Sequence, residues 1–214
     1  MIRLVCLAVG YAFGLVQTSY IIGRLHGIDI REYGSGNAGT TNMIRTLGTK
    51  LGLVTFIGDF LKSFLAVMLV GALFGKSHAD ILPILKLYAG AGAIIAHDFP
   101  FYLQFKGGKG VAASAGLVAA FDPRIFAIAL ASFLAVAIVT KYVSLGSLVC
   151  YAVFFLMTLF MGMIGHFHMT APHLAELYAV AFFLTALCWW QHRANISRLI
   201  AGTESKTHLF RKKD

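Results

Sequence analysis

Residues 34–48 read GSGNAGTTNMIRTLG, an island of glycine, hydroxyl and amide side chains with one arginine, set between two apolar stretches. Gly34, Gly36 and Gly39 let backbone N–H groups approach a ligand closely. Ser35, Thr40 and Thr41 add hydroxyls, and Asn37 and Asn42 add amides. Arg45 follows Asn42 at i+3, on the same face if a helix begins there, and its guanidinium suits bidentate phosphate recognition. Such a loop can gather N–H groups and a cation around one anion. The competing reading is a flexible loop with an arginine left beside the membrane.

Two further islands have the same character. Lys106-Gly107-Gly108-Lys109-Gly110 opens an apolar helix, where a nest of N–H groups at a helix N-terminus favours anions. Two lysines are poor partners for that end of a helix unless an anion joins them; otherwise they are lysines snorkelling to the interface. The third island, HRANISR at 192–198, spaces His192, Asn195 and Arg198 at i, i+3 and i+6, along one face of a helix leaving the membrane. A histidine there can act as base, hydrogen-bond donor or phosphate ligand, or be purely structural.

Asp59 and Lys62 lie inside the second apolar run. Charges in a membrane helix are costly and face the protein interior, and i, i+3 spacing allows a direct pair. Ser144 and Ser147 begin a later helix, where capping is the simplest role. His166, His168 and His173 form a turn at the opposite end, read as solvated rather than metal-binding.

Several formal matches fail. Gly34-x-Gly36-x-x-Gly39 mimics the dinucleotide fingerprint, but that motif needs a preceding strand and a βαβ unit. Neither lysine island fits G-x-x-x-x-G-K-[ST], no histidine is followed five residues later by aspartate, and G-x-S-x-G is absent. Cys6, Cys150 and Cys188 stand singly in apolar sequence, as small buried residues do.

The elements that must position these islands are membrane helices. The chain is 58% hydrophobic and 13% charged, with mean hydropathy +0.78, against about 25% charged in soluble domains. At 214 residues it makes one membrane-embedded domain over 1–214. Apolar runs fall near 2–23, 51–75, 81–98, 111–121, 124–140, 144–165 and 174–190. They are continuous rather than alternating, so the expected fold is all-α and polytopic, not a barrel. The run 111–121 is half a span, broken from the next by Asp122-Pro123, so 111–140 is either a hairpin of short helices or re-entrant. The first run has no A-x-A-type cleavage site and reads as a retained helix.

The expected count is about seven helices. With the N-terminus outside, one face collects Arg24, Arg31, Arg45, Lys50, Lys106, Lys109, Lys141, Arg193, Arg198, Lys206, Arg211, Lys212 and Lys213, leaving Arg3, Lys62, Lys76, Lys86 and Arg124 elsewhere. That face is the cytoplasmic one by the positive-inside rule, and the same rule accounts for the net charge of +9 without nucleic acid. Candidate chemistry confined to one face favours an enzyme over a transporter of anionic solutes, and no internal repeat of the transporter kind is present.

Taken together, GSGNAGTTNMIRTLG, AHDFPFYLQFKGGKGVA, KYVSLGSL and HRANISRLIAGTE resemble the bacterial acyl-phosphate-dependent glycerol-3-phosphate acyltransferases, the PlsY family, in order and spacing over nearly the whole chain. Thr40 replaces the family's usual Ala, and Ala96-His97 its usual Gly-His. The resemblance implies transfer of a fatty acyl group from acyl phosphate to the 1-position of glycerol 3-phosphate, giving lysophosphatidate and phosphate, in a bacterial cell membrane with the C-terminus and site cytoplasmic. It implies catalytic roles for Lys109, Ser147, His192 and Asn195. Ser35, Gly36, Asn37, Asn42, Arg45, Lys106, Gly107, Gly108 and Arg198 would bind substrate, and Asp59, Lys62, His97 and Ser144 would support them. The partners are the two substrates and membrane lipid.

Acyl phosphate is already an activated anhydride, so no metal, cofactor or covalent nucleophile is needed. Lysine and arginine can neutralise two repelling phosphates and align the attacking hydroxyl. The base is His192 or a phosphate oxygen of the donor. Acyl-CoA is the competing donor.

Overall fold

The structure, a computed structural model, describes residues 1–206; Arg211, Lys212 and Lys213 of the basic face lie outside them. Its helices are α1 (Ile2–Gly14), α2 (Thr18–Leu25), α3 (Thr40–Leu47), α4 (Thr49–Phe74), α5 (Leu82–Asp98), α6 (Val111–Phe121), α7 (Pro123–Thr140), α8 (Val143–Met163), α9 (Ala171–Gln191) and α10 (Arg193–Ile200), with no strand among the described residues. Among the described residues, six segments are long and apolar enough to cross a membrane: α1 with α2, α4, α5 with its flanking turns, α7, α8 and α9. Pro83, Pro123 and Pro172 stand in the first turns of α5, α7 and α9, where a missing N–H costs nothing.

α5 is the axis of the bundle. Ile84, Leu85, Leu87, Ala89, Ala91 and Ile94 are all buried. α1 lies directly against it, because Gly10, Gly14 and Gly92 have no Cβ to hold the backbones apart; a methyl at any of them would strike the main chain of the facing helix. Outward-facing Leu61, Leu65, Met68 and Leu69 of α4 are exposed, as a lipid-facing surface requires.

The expected run 2–23 is not one helix. It breaks at residues 15–17, and the break is held by tertiary donors. The Gln17 amide donates to the carbonyls of Gly14, Ala96 and His97 at 3.1–3.3 Å. The Tyr102 hydroxyl donates to Leu15 carbonyl and Lys62 Nζ to Val16 carbonyl. A broken helix is tolerated at membrane depth only when its freed carbonyls are satisfied in this way.

The half-length run became α6, which turns at Asp122 directly into α7 as a hairpin. Asp122 Oδ1 accepts from the N–H groups of Arg124 and Ile125, capping α7, while its Oδ2 lies 2.7 Å from His166 Nε2. Burial works against the Asp122 carboxylate, but His166 and the two N–H donors outweigh it and hold its pKa below the ordinary value. His166 is thus tied to the α6–α7 turn rather than solvated.

Candidate active site

The first loop is organised from within. Asn42, buried at the start of α3, accepts the Ser35 N–H on Oδ1 at 2.8 Å and donates from Nδ2 to the carbonyls of Ile30 and Tyr33 at 3.0 Å. Gly34 (φ +59°) and Gly36 (φ +70°) take left-handed turns, and a Cβ on Gly34 would collide with the Asn42 amide. The outcome is division of labour. Asn42 braces the loop, which leaves Ser35 exposed and Asn37 half-exposed, and Arg45 is exposed one turn further along α3. Asp29 pins the entry, its two oxygens gripped by Arg31 at 2.9 and 2.6 Å. The Arg31 guanidinium, helped by Arg24, holds the Asp29 pKa at about 2. Arg31 also donates to Leu103 carbonyl at 3.0 Å, tying this loop to the next.

The second loop sits on the C-terminal end of α5. Gly107 N–H donates to Asp98 carbonyl at 3.1 Å and Gly108 N–H to His97 carbonyl at 3.0 Å. Side chains at these two positions would strike the His97 carbonyl and ring respectively, so glycine is required by close approach. Ala38 N–H meets Gly107 carbonyl at 3.4 Å, and the two glycine loops touch there. Lys106 points outward and Lys109 inward, half-buried. Lys109 Nζ donates to Asn195 Oδ1, and burial, with Arg198 nearby, lowers its pKa.

Beneath the loops lies a buried polar cluster. Lys62 Nζ is 2.9 Å from Asp59 Oδ1 and 2.8 Å from His97 Nδ1, and Thr18 Oγ1 adds a 3.3 Å bond to Asp59. The i, i+3 pair therefore forms, and it reaches the glycine loop through His97.

The third part comes from the α9–α10 junction. His192 Nδ1 lies 2.8 Å from Cys188 carbonyl; a carbonyl can only accept, so Nδ1 carries the proton and Nε2 keeps its lone pair. Burial pushes the His192 pKa down to about 4. Asn195 Nδ2 donates to Glu204 Oε1 at 2.7 Å, Ser144 Oγ to the same oxygen at 2.8 Å, and Arg198 Nε to Glu204 Oε2 at 2.6 Å. Burial acts against the Glu204 carboxylate, yet these three donors keep its pKa below the ordinary value. Ser147, also buried, turns its hydroxyl onto Val143 carbonyl of its own helix at 2.9 Å.

An apolar cavity of about 410 Å³ lies among α4, α6, α7 and α8, with Ile94 of α5 and Leu184 of α9 also in its lining. Its wall includes Val111, which directly follows Gly110, and it continues past Ser114 and Tyr151, whose hydroxyls bond to one another, to Phe126 and Phe154.

The fold thus unites Lys109, Asn195, Arg198 and Ser144 in one hydrogen-bonded cluster, with His192 one turn before Asn195 and the first loop joined through Ala38. It does not bring Asn42 or the Ser147 hydroxyl to the surface of the site. Glu204, the hub of the cluster, and Gln17 and Gln191 were not anticipated; the Gln191 amide reaches Gly108 carbonyl at 3.4 Å. The signal for Gln17 was a lone amide in an apolar run. For Glu204 it was an acid just beyond two arginines, inside the motif HRANISRLIAGTE.

Comparison with known proteins agrees with this arrangement. The family model described as glycerol-3-phosphate acyltransferase matches residues 4–202. A glycerol-3-phosphate acyltransferase of Clostridioides difficile is 44% identical over 92% of this chain and 92% of its own length. One of Bacillus subtilis is 38% identical over 96% and 98% respectively. Crystal structures of PlsY, an integral membrane glycerol 3-phosphate acyltransferase, superpose with TM-scores of 0.81 for the glycerol 3-phosphate form and 0.79 for the lysophosphatidic acid form. They are 32% and 31% identical, and the matches cover 96% and 95% of this chain and 95% and 94% of theirs.

Proposed function

The chain belongs to the glycerol-3-phosphate acyltransferase family, and we propose that its donor is acyl phosphate and its acceptor atom the sn-1 hydroxyl of glycerol 3-phosphate. The observation that carries this reading is the position of Lys109: it belongs to the second glycine loop, bonds to Asn195 of the Asn195–Glu204–Arg198 cluster, and stands two residues before Val111, which lines the apolar cavity. Two phosphates need cations and N–H groups at one spot, and a fatty chain needs a dry groove beginning there.

In the proposed reaction the acceptor hydroxyl oxygen attacks the acyl carbonyl carbon. The bond from that carbon to the phosphate oxygen then breaks, and inorganic phosphate leaves. Lys109, Arg45, Lys106 and Arg198 offset the charge of the two phosphates, while Ser35 and Asn37 orient them; Gly36, Gly107 and Gly108, their own N–H groups spent on backbone carbonyls, shape the loops that present these side chains. The hydroxyl proton goes to an oxygen of the departing phosphate. A histidine with a pKa of about 4 is a feeble base at neutral pH, so the Nε2 lone pair of His192 serves to accept and aim a hydrogen bond. Asn195, aligned by Glu204, holds Lys109 in place. Ser147, its hydroxyl turned onto Val143 carbonyl, has no direct part in this scheme, and Ser144, Asp59, Lys62 and His97 support the loops.

The skew of lysine and arginine supports a cytoplasmic site in a bacterial cell membrane, with seven crossings, α6 being the short one, and the N-terminus outside. Purified protein incubated with acyl phosphate and labelled glycerol 3-phosphate should yield labelled lysophosphatidate. Acyl-CoA offered alone should yield none, and efficient use of acyl-CoA would overturn the donor assignment.

A further inference from the structure

The geometry of the apolar cavity sets how long a chain it can hold. α6 forms its floor, α4 one wall, and α7 with α8 the other. At about 1.5 Å rise per residue, Val118 lies roughly 10 Å further from the polar site than Val111. α7 runs the opposite way, so Leu134 and Leu130 flank the half near the polar site and Phe126 the deep end. Phe56, Leu130 and Leu134 line the cavity and are nevertheless exposed, so the cleft between α4 and α7 is open along that half. At the deep end it is bridged. Phe126 of α7 meets Phe60 of α4 edge-on, ring centroids 6.3 Å apart, and Phe60 stacks in turn on Phe64 at 5.7 Å.

We propose that the Phe60–Phe126 pair is the end stop of the acyl chamber and fixes the longest acyl chain the enzyme uses efficiently. The proposal rests on the acyl-transfer reading above and adds the residues that determine chain-length specificity. A donor tail comes from lipid, so burying it in the cavity gains little over leaving it in the bilayer. Discrimination therefore comes from misfit: a chain that outgrows the chamber must push the rings apart or bend out through the cleft. One misplaced methylene in an apolar pocket is worth about 10–200-fold in kcat/KM, and the lateral opening puts this site near the lower figure.

The test is a chain-length profile of kcat/KM from decanoyl to docosanoyl phosphate, for the wild type, Phe126→Ala, Phe126→Leu and Phe60→Ala. The break in the wild-type profile should move to longer donors in each variant, with a gain of about tenfold for the first donor beyond the wild-type limit relative to decanoyl phosphate in the same variant. Ala129→Phe, one turn closer to the polar site, should move the break the other way. In parallel, thermal stabilisation of each protein by lysophosphatidates of graded chain length reads the chamber without using any donor. If the donor assignment is wrong, acyl phosphates fail at every length while the lysophosphatidate series still shows the break and its shift. If Phe126→Leu and Phe60→Ala leave the break where it stands in the wild type, the end stop is refuted.

Discussion

Replacing Lys62 by methionine keeps the length of the side chain and removes its charge. Lys62 Nζ is 2.9 Å from Asp59 Oδ1, 2.8 Å from His97 Nδ1 and 2.8 Å from Val16 carbonyl. One substitution therefore strands a carboxylate, a ring nitrogen and a carbonyl together. The Asp59 side chain is 1% exposed, and its remaining side-chain donor among the described residues is the Thr18 hydroxyl at 3.3 Å. Breaking a buried pair from one side costs about 3–5 kcal/mol. His97 can change tautomer, but Val16 carbonyl, freed by the helix break, adds about 1–3 kcal/mol if no donor replaces the ammonium. The double variant Asp59→Asn/Lys62→Met removes the stranded charge and should recover about 2–4 kcal/mol of the loss, a coupling that a double-mutant cycle isolates. The measurement is reversible unfolding in mixed micelles, followed by tryptophan fluorescence from Trp189 and Trp190, with turnover assayed on the same samples. Turnover should fall in Lys62→Met as well, because Gly107 and Gly108 hang from the end of α5 where His97 sits. The reasoning fails if Lys62→Met unfolds within about 1 kcal/mol of the wild type, or if the double variant is no more stable than the single.

Arg45→Ala and Lys109→Ala should each lower kcat/KM by about ten- to a hundredfold or more, the loss of a charge-assisted contact, in protein that still inserts and elutes as the wild type; near-normal turnover would clear that residue of its role. His192→Gln should retain substantial activity, and the wild-type rate should show no histidine step near pH ~6.5, since the folded pKa is about 4; a near-dead variant together with such a step in the wild type would make His192 the base. The same depressed pKa has a stability consequence. The unfolded chain binds this proton first, so its contribution is fully present above pH ~6.5 and is lost as pH falls toward about 4, which acid titration of unfolding would reveal as a loss absent from His192→Gln. Single cysteines at Asn37, Gly108 and Ala194 in a cysteine-free background should be labelled from the cytoplasm and one at Ala171 from outside; cytoplasmic labelling at Ala171 would exclude seven crossings.

Helices were legible in the sequence wherever a continuous apolar run left only one way to satisfy the backbone in lipid. α4, α5, α6, α7, α8 and α9 all fall within a few residues of their runs. The break between α1 and α2 was not legible, because its cause is elsewhere in the chain: residues 14–16 are apolar enough to continue, and Tyr102, Lys62 and the seat of Gln17 on α5 make stopping favourable. The site divides in the same way. Residue types announced anion chemistry, and the i, i+3 rule placed Lys62 on Asp59. Side-chain direction inside a loop follows from no periodicity, so Asn42, read as a ligand-binding amide, proved to be the loop's internal brace. The meeting of Lys109 with Asn195 spans 86 residues and depends on helix packing. Glu204 escaped notice because one acid after two arginines reads locally as charge balance, and its bond to Ser144 crosses to a different helix.

The polar cluster draws on the chain from Lys109 to Glu204, with the first glycine loop joined to it through Ala38, and its last contributors follow the last long helix among the described residues. During synthesis the first glycine loop is laid down early, yet Lys109 has no Asn195 to hold it, and Asn195 no Glu204 to aim it, until α9 has been inserted and the segment after it has emerged. On the roles proposed for Lys109 and Asn195, a ribosome that stalls before that point leaves a fragment without a complete site, and acylation waits until translation has passed α9.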